Sequence, residues 1–375
     1  MKLSWLLLFL LISPSTPSNC SNFGTLECWP MEIQEMVLMT AGKDIERYAF
    51  DFSQLVLLFV LSRYNCSGKS TEEWRKTGEV RFWWSIYYTA SGLLFQLLGW
   101  PVLWIFLTKF SMTHALKVYR VMVFIGIIEI TEVWGNSLWP GWVAYFGEVY
   151  CSTPRITTIV GKVTMVQWVL GSSTAVFLGI HRLTDMSRKG EFLVNTNWKT
   201  AFWIFCLSIY AFYGSIFYDT VLFNSVYMAP LLDPMIGQNG IVYSNRFLYF
   251  HNMFAAALLI TVYASLFGIW RSREMNTSSL HVSKFQRSIL LQSICISLTY
   301  AIPAISFVTM FVFQVPIWFF HASDITYQLS GGLPFIMYIC LNQRVREEFL
   351  LMFRIIKNLP DRHKAVGPTG NSTII

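Results

Sequence analysis

Seven apolar runs of membrane length constrain this chain more than any other feature. They occupy residues 82–108, 121–143, 156–180, 201–218, 247–270, 288–315 and 317–341. Each is long enough to cross about 30 Å of hydrocarbon as an α-helix, the form that satisfies its own backbone hydrogen bonds in lipid. The rest of the composition agrees: 54% of the 375 residues are hydrophobic and only 13% charged, against about 25% charged in ordinary soluble domains. So little charge excludes a typical water-soluble enzyme. The expected fold is an all-α membrane protein with one seven-helix transmembrane domain over residues 82–341.

The flanking segments read differently. Lys2, the short apolar stretch from Leu6 to Ile12 and the Pro- and Ser-containing residues after it predict a signal peptide over residues 1–18, because the apolar part is too short to span. Residues 19–81 are mixed and charged and form an amino-terminal segment; the run at 55–61 within it suits a buried or interfacial helix. Residues 342–375 form a tail, in which Val345, Phe349, Leu350, Phe353 and Ile356 alternate with charged residues. That pattern predicts a short amphipathic helix on the membrane surface.

Orientation follows from the short connections. Alternate loops and the tail carry 17 Lys and Arg residues, whereas the opposite loops offer only Arg155 and Arg246. By the positive-inside rule the amino terminus is expected outside a plasma membrane and the carboxyl terminus in the cytoplasm. The sequon Asn65-Cys66-Ser67 then predicts a glycan on Asn65, while Asn276 falls on a cytosolic loop. Of seven cysteines, Cys206, Cys295 and Cys340 lie in apolar runs. Cys20, Cys28, Cys66 and Cys151 fall outside, where two disulfides are possible and their pairing is open. No C-x-x-C pair occurs, so neither a metal nor a cofactor is expected.

Charge inside a bilayer is costly, so it tends to pair, face the bundle interior or mark function. Glu132, Lys162 and Asp324 fall roughly 10 to 16 Å below the outer helix ends by helix rise. One reading makes them the polar floor of an outward-facing pocket, with Lys162 the cation for an acidic ligand. The other makes Lys162 and Glu132 a structural ion pair joining two helices. Glu129 stands three residues before Glu132 and shares its helix face, as a protonation switch or as a neutral hydrogen-bond donor. His251 and His321 lie near outer helix ends and read as interfacial hydrogen-bonding groups. Pro101, Pro140, Pro303 and Pro334, the last preceded by Gly331-Gly332, predict kinks.

From Tyr64 onward the chain resembles the nematode serpentine chemoreceptors of class T, seven-helix receptors of the G-protein-coupled type. The resemblance is carried by Tyr64-Asn65-Cys66-Ser67 with Glu72-Glu73-Trp74, by Gly126-Ile127-Ile128-Glu129, and by Tyr150-Cys151-Ser152. Phe223-Asn224-Ser225, Pro234, Tyr243 with Asn245, and His251-Asn252 extend it across nearly 300 residues, leaving the first sixty outside. It implies that Arg182, in His181-Arg182-Leu183, holds the inactive state and meets the G protein, with His181 replacing the usual Asn or Asp. It also implies that Pro334 and Tyr338, followed by Asn342 and Arg344, form the closing motif of the seventh helix. Cys151 is similar to the cysteine that bonds the second outer loop in many such receptors. That loop has no Cys here, so the bridge either reaches Cys20, Cys28 or Cys66 or is absent.

These features converge on a chemosensory receptor that binds an external small molecule and activates a heterotrimeric G protein by conformational change, in the plasma membrane with sensory cilia as one candidate location. No catalytic or nucleic-acid-binding role is expected. A membrane-embedded hydrolase would need more convergent His and acid groups than His321 with Asp324 supply. A channel or transporter would favour internal repeats, and none is visible.

Overall fold

The computed structural model describes Tyr64, Cys66 and residues 68–110, 118–187, 197–236, 243–276 and 280–353. The expected signal peptide, Cys20, Cys28, the run at 55–61, the Asn65 sequon and the tail beyond residue 353 lie outside the described residues. A short helix α1 (Thr71–Arg75) precedes the first crossing, α2 (Phe82–Ile105), which continues as a π-helical turn, Phe106–Phe110. The second crossing joins α3 (Val118–Val133), a π turn (Trp134–Leu138) and α4 (Trp139–Phe146). Then come α5 (Pro154–Ser187), α6 (Asn197–Phe217), a hairpin of β1 (Leu222–Asn224) and β2 (Ala229–Leu231), α7 (Arg246–Asn276), α8 (Leu280–Val312), α9 (Ile317–Leu341) and α10 (Gln343–Met352).

Six of the crossings are long and apolar enough to span a membrane by composition. The seventh, α9, is 25 residues long but less apolar, because Ser323, Asp324, Gln328 and Ser330 interrupt it; all four are buried inside the bundle. Its polarity therefore faces protein instead of lipid. Burial also separates α5 from α6. In α5, 72% of the most apolar window is buried, which makes it the central helix, whereas in α6 only 22% is. Phe202, Phe205, Ile209 and Phe212 of α6 accordingly point outward, as lipid-facing residues do.

Several helices run past the expected ends. The third crossing reaches from Pro154 to Ser187 and the fifth from Arg246 to Asn276, because charged residues at the bundle's basic end continue the helix once they are clear of the apolar stretch. Pro101 lies within α2, where it removes the bond to the carbonyl one turn before it, and the π turn follows at Phe106–Phe110. Pro140 opens α4 directly after the second π turn. That wider turn brings the adjacent Asn136 and Ser137 both into the core.

The end opposite the basic loops is closed by a cap that the all-α expectation did not include. In its hairpin Leu222 faces Leu231 and Asn224 faces Ala229. Asn224 holds the turn by accepting from the Val226 amide at 2.8 Å and donating to the Pro234 carbonyl at 2.9 Å. The cap lies tightly on α5: a Cβ at Gly161 would stand 2.5 Å from Leu222 and 2.8 Å from the Val221 carbonyl, an approach only glycine permits. A Cys66–Cys151 disulfide ties the amino-terminal segment to the start of the third crossing, so the cysteine at the top of this helix pairs with Cys66. Around it Tyr64, Trp74, Tyr150, Leu222 and Met235 make a small apolar cluster of their own. Burial and the nearby Asp219 push the Tyr64 hydroxyl above its ordinary range. It stays protonated and donates to the Thr220 carbonyl at 2.5 Å. Arg75 adds a 3.1 Å ion pair with the buried Glu148.

Candidate functional site

Beneath this cap lies a cavity of about 210 Å³. Asn136 and Trp139 border it from the second crossing, Thr157, Thr164 and Trp168 from α5, Phe307 and Met310 from α8, and Asp324 and Tyr327 from α9. Phe223 and Leu231 of the hairpin form its roof. The walls are largely apolar and aromatic with a few polar groups, the composition of a small-molecule site. Trp168 contacts Tyr327 edge-on at 5.3 Å and Phe307 at 5.8 Å. These aromatic contacts fix three of the walls against one another.

Asp324 is the acid of this cavity. It is 1% exposed and accepts a short hydrogen bond from the Tyr88 hydroxyl of α2. Ser137 in turn donates to the Tyr88 carbonyl at 2.9 Å, and Gln328 donates to Ser137 and Ser91 at 2.6 Å each. The three residues expected to share a pocket floor are thus divided, since only Asp324 lines the cavity. Lys162 sits on the far face of α5, where its ammonium donates to the Ser215 carbonyl at 3.2 Å while the Ser215 hydroxyl donates to the Lys162 carbonyl at 2.9 Å. This reciprocal clamp joins α5 to α6. Glu132 lies below the cavity, with its carboxyl fully buried beside the Tyr327 hydroxyl. The expected acid-binding cation therefore faces a neighbouring helix, because the Lys162 ammonium turns to the Ser215 carbonyl of α6 and not into the cavity.

From Glu132 a column of buried polar and aromatic groups leads toward the basic end. Glu129 is its neighbour and accepts from Tyr300 of α8 at 3.4 Å. Tyr338, one turn beyond Pro334 on α9, lies within electrostatic reach of both Glu129 and Arg182. Its hydroxyl is buried without a hydrogen-bond partner, and its ring meets Phe106 edge-on at 4.9 Å. Arg182 is half-buried and approaches Met122 Sδ at 3.9 Å, with the Tyr263 ring of α7 close by. His181 beside it is buried. The expected switch residues Glu129, Pro334, Tyr338 and His181 are thus buried in the bundle and Arg182 is half-buried, with Tyr338 within reach of both Glu129 and Arg182.

The histidines divide as well. His251 is enclosed in the bundle instead of interfacial, between Ser172 at 2.8 Å and Tyr210 at 3.1 Å; His321 is half-buried and packs against Trp84 at 5.0 Å. The sequence did not single out Asn136, Tyr300 or Tyr327. Asn136 had a signal, since it stands four residues beyond Glu132, but the π turn that aims it had none. No cluster of three or more potential metal ligands occurs among the described residues.

The fold and the sequence both have relatives. Squid rhodopsin superposes with a TM-score of 0.53, covering 78% of this chain and 91% of its own, at 11% identity, a likeness of fold alone. A curated Caenorhabditis elegans protein, "Serpentine receptor class T-55", is 66% identical over 374 residues, covering 100% of this chain and 99% of its own. The first sixty residues, set outside the resemblance on sequence alone, are thus shared with a class T relative. The family model for serpentine-type seven-transmembrane chemoreceptors of the Srt class matches residues 52–362, and the chain belongs to this family of G-protein-coupled-type receptors.

Proposed function

We propose that this receptor binds an external small molecule in the cavity beneath the hairpin and passes the event through the polar column to Arg182, opening the basic end to a heterotrimeric G protein. The observation that carries this reading is the continuity between the two sites. Tyr327 lines the cavity and neighbours Glu132; Glu132, Glu129, Tyr338 and Arg182 follow in sequence. Two carboxyls buried three residues apart on one helix make this column costly in any one arrangement, which suits a bundle that exchanges between two states. Pro334 removes a backbone donor from α9 midway along it, a point of flexure.

In this reading the disulfide end faces outward, with Cys66–Cys151 in an oxidising compartment, and the tail lies in the cytoplasm with α10 along the membrane surface. Asn342 caps α10 by accepting from the Val345 amide at 3.3 Å. Asp324 contacts ligand, Lys162 fixes α6 to α5, and His181 with Arg182 meets the G protein. The test is a ligand screen in cells that report G-protein signalling. An activating ligand should lose its effect in Met310→Trp, which fills the cavity, and in Arg182→Ala, which should keep ligand binding. Signalling that survives both substitutions at equal surface expression contradicts the reading.

A further inference from the structure

Most of the cavity's hydrogen-bonding groups present acceptors, the Trp139 indole N–H being a donor in the same lining. Thr157 and Thr164 donate their hydroxyl protons to the carbonyls of Thr153 and Val160 at 2.8 and 2.9 Å, so toward the cavity they offer lone pairs. The indole N–H of Trp168 is given to Asn252 at 2.8 Å. Asn136 turns its amide nitrogen to the Tyr327 carbonyl at 3.4 Å, while its Oδ1 is buried without a partner. Asp324 supplies the acid. The described lining contains no Lys, Arg or His, and among the described residues no Lys or Arg forms an ion pair with Asp324. Basic side chains on the surrounding elements are elsewhere engaged: Lys162 donates to the Ser215 carbonyl at 3.2 Å, Arg81 pairs with Glu79 at 2.5 Å and His321 packs on Trp84.

An acceptor-lined, aromatic-walled site of this size needs a donor, and one that carries positive charge. We propose that the cavity selects small organic amines in their ammonium form, held by Asp324 with Asn136 Oδ1 as a second acceptor, and that it rejects carboxylic acids. This rests on the reading of the cavity as the ligand site and assigns the class of ligand it takes. A carboxylate in this position is costly alone, and an ammonium ion offsets that cost by forming a charge-assisted hydrogen bond. Trp168, Tyr327 and Phe307 add cation–π attraction to the cation and apolar contact to its body. An acid would bring a second negative charge next to Asp324 and would find no cation in the wall.

The test uses the purified full chain in lipid nanodiscs and three matched probes: phenethylamine, phenethyl alcohol and phenylacetate, with binding read from thermal unfolding at several probe concentrations. The amine should bind at least about tenfold more tightly than the alcohol, with no detectable stabilisation by the acid. Asp324→Asn should remove the preference for the amine and leave the alcohol unchanged. Tyr88→Phe should strengthen amine binding, because it frees the carboxylate from its internal donor, and it decides the matter if Asp324→Asn does not fold. Phenylacetate binding as well as the amine, or an amine preference that ignores both substitutions, overturns the proposal. If the alcohol or acid binds and Met310→Trp abolishes that binding, the cavity stands as a ligand site and only the amine assignment falls. If none of the three probes binds, both fall.

Discussion

The two ends of the bundle are built to different standards. At the disulfide end, contacts between separate elements are short and of several kinds: the Cys66–Cys151 bond, Tyr64 to Thr220 at 2.5 Å, Arg75 to Glu148 at 3.1 Å and Thr220 to Gly161 at 2.8 Å. Toward the basic end several described interhelical contacts are longer. Tyr300 meets Glu129 at 3.4 Å, Asn342 meets Gln292 at 3.4 Å and Arg182 approaches Met122 at 3.9 Å. Buried groups without hydrogen-bond partners there include Glu129 Oε2, Tyr263 Oη and Tyr338 Oη. A cavity that must recognise a ligand gains from a preorganised frame, whereas a surface that must change shape gains from interactions that are easily exchanged.

Breaking the disulfide should expose this difference most strongly. Cys66→Ser or Cys151→Ser removes a link between residues 85 apart in sequence and should cost about 2–5 kcal/mol, read as a lower melting temperature and reduced surface expression. The next effect is expected at the close contact between the second crossing and α5. A Cβ at Gly135 would stand 1.9 Å from Thr164 Cγ2, so Gly135→Ala should cost about 1–3 kcal/mol and weaken ligand binding by shifting Thr164 in the cavity wall. At the other end the sign reverses. Tyr338→Phe deletes a buried hydroxyl that lacks a partner and should be neutral or stabilising by about 1 kcal/mol, while changing basal G-protein signalling.

The smallest effect belongs to α1. Hydrogen bonds from the Ser70 backbone and side chain hold the Glu73 carboxyl below its ordinary range, in a capping box at the helix start. A depressed carboxyl pKa stabilises above the usual carboxylate range, and the benefit is lost as pH falls through the lowered value. Glu73→Gln should therefore lower the melting temperature slightly near neutral pH and make no difference in strong acid. An equal effect at both pH values would sink this assignment.

The membrane architecture was legible because lipid imposes a simple requirement on length and apolarity; α9 (Ile317–Leu341) meets the length, and its polar residues turn into the bundle. The buried charges were legible as exceptional, but their partners were not. Depth along a helix placed Glu132, Lys162 and Asp324 at one level, yet the face each presents depends on packing, and Lys162 turns to Ser215. The hairpin at Leu222–Leu231 reads in sequence as a loop, since its three-residue strands carry too little periodicity to register. The π turn at Trp134–Leu138 has no sequence signature, and it sets where Asn136 points. Cys66 emerged as the partner of Cys151 only once both were placed in three dimensions.

Guanine-nucleotide exchange on a purified heterotrimeric G protein, driven by the full receptor in nanodiscs with an activating ligand, tests the link between cavity and basic end most directly. The account predicts exchange that rises with ligand, disappears in Met310→Trp together with binding, and disappears in Arg182→Ala while binding persists. Ligand-driven exchange that continues undiminished in Arg182→Ala, or that is indifferent to the filled cavity, would contradict it.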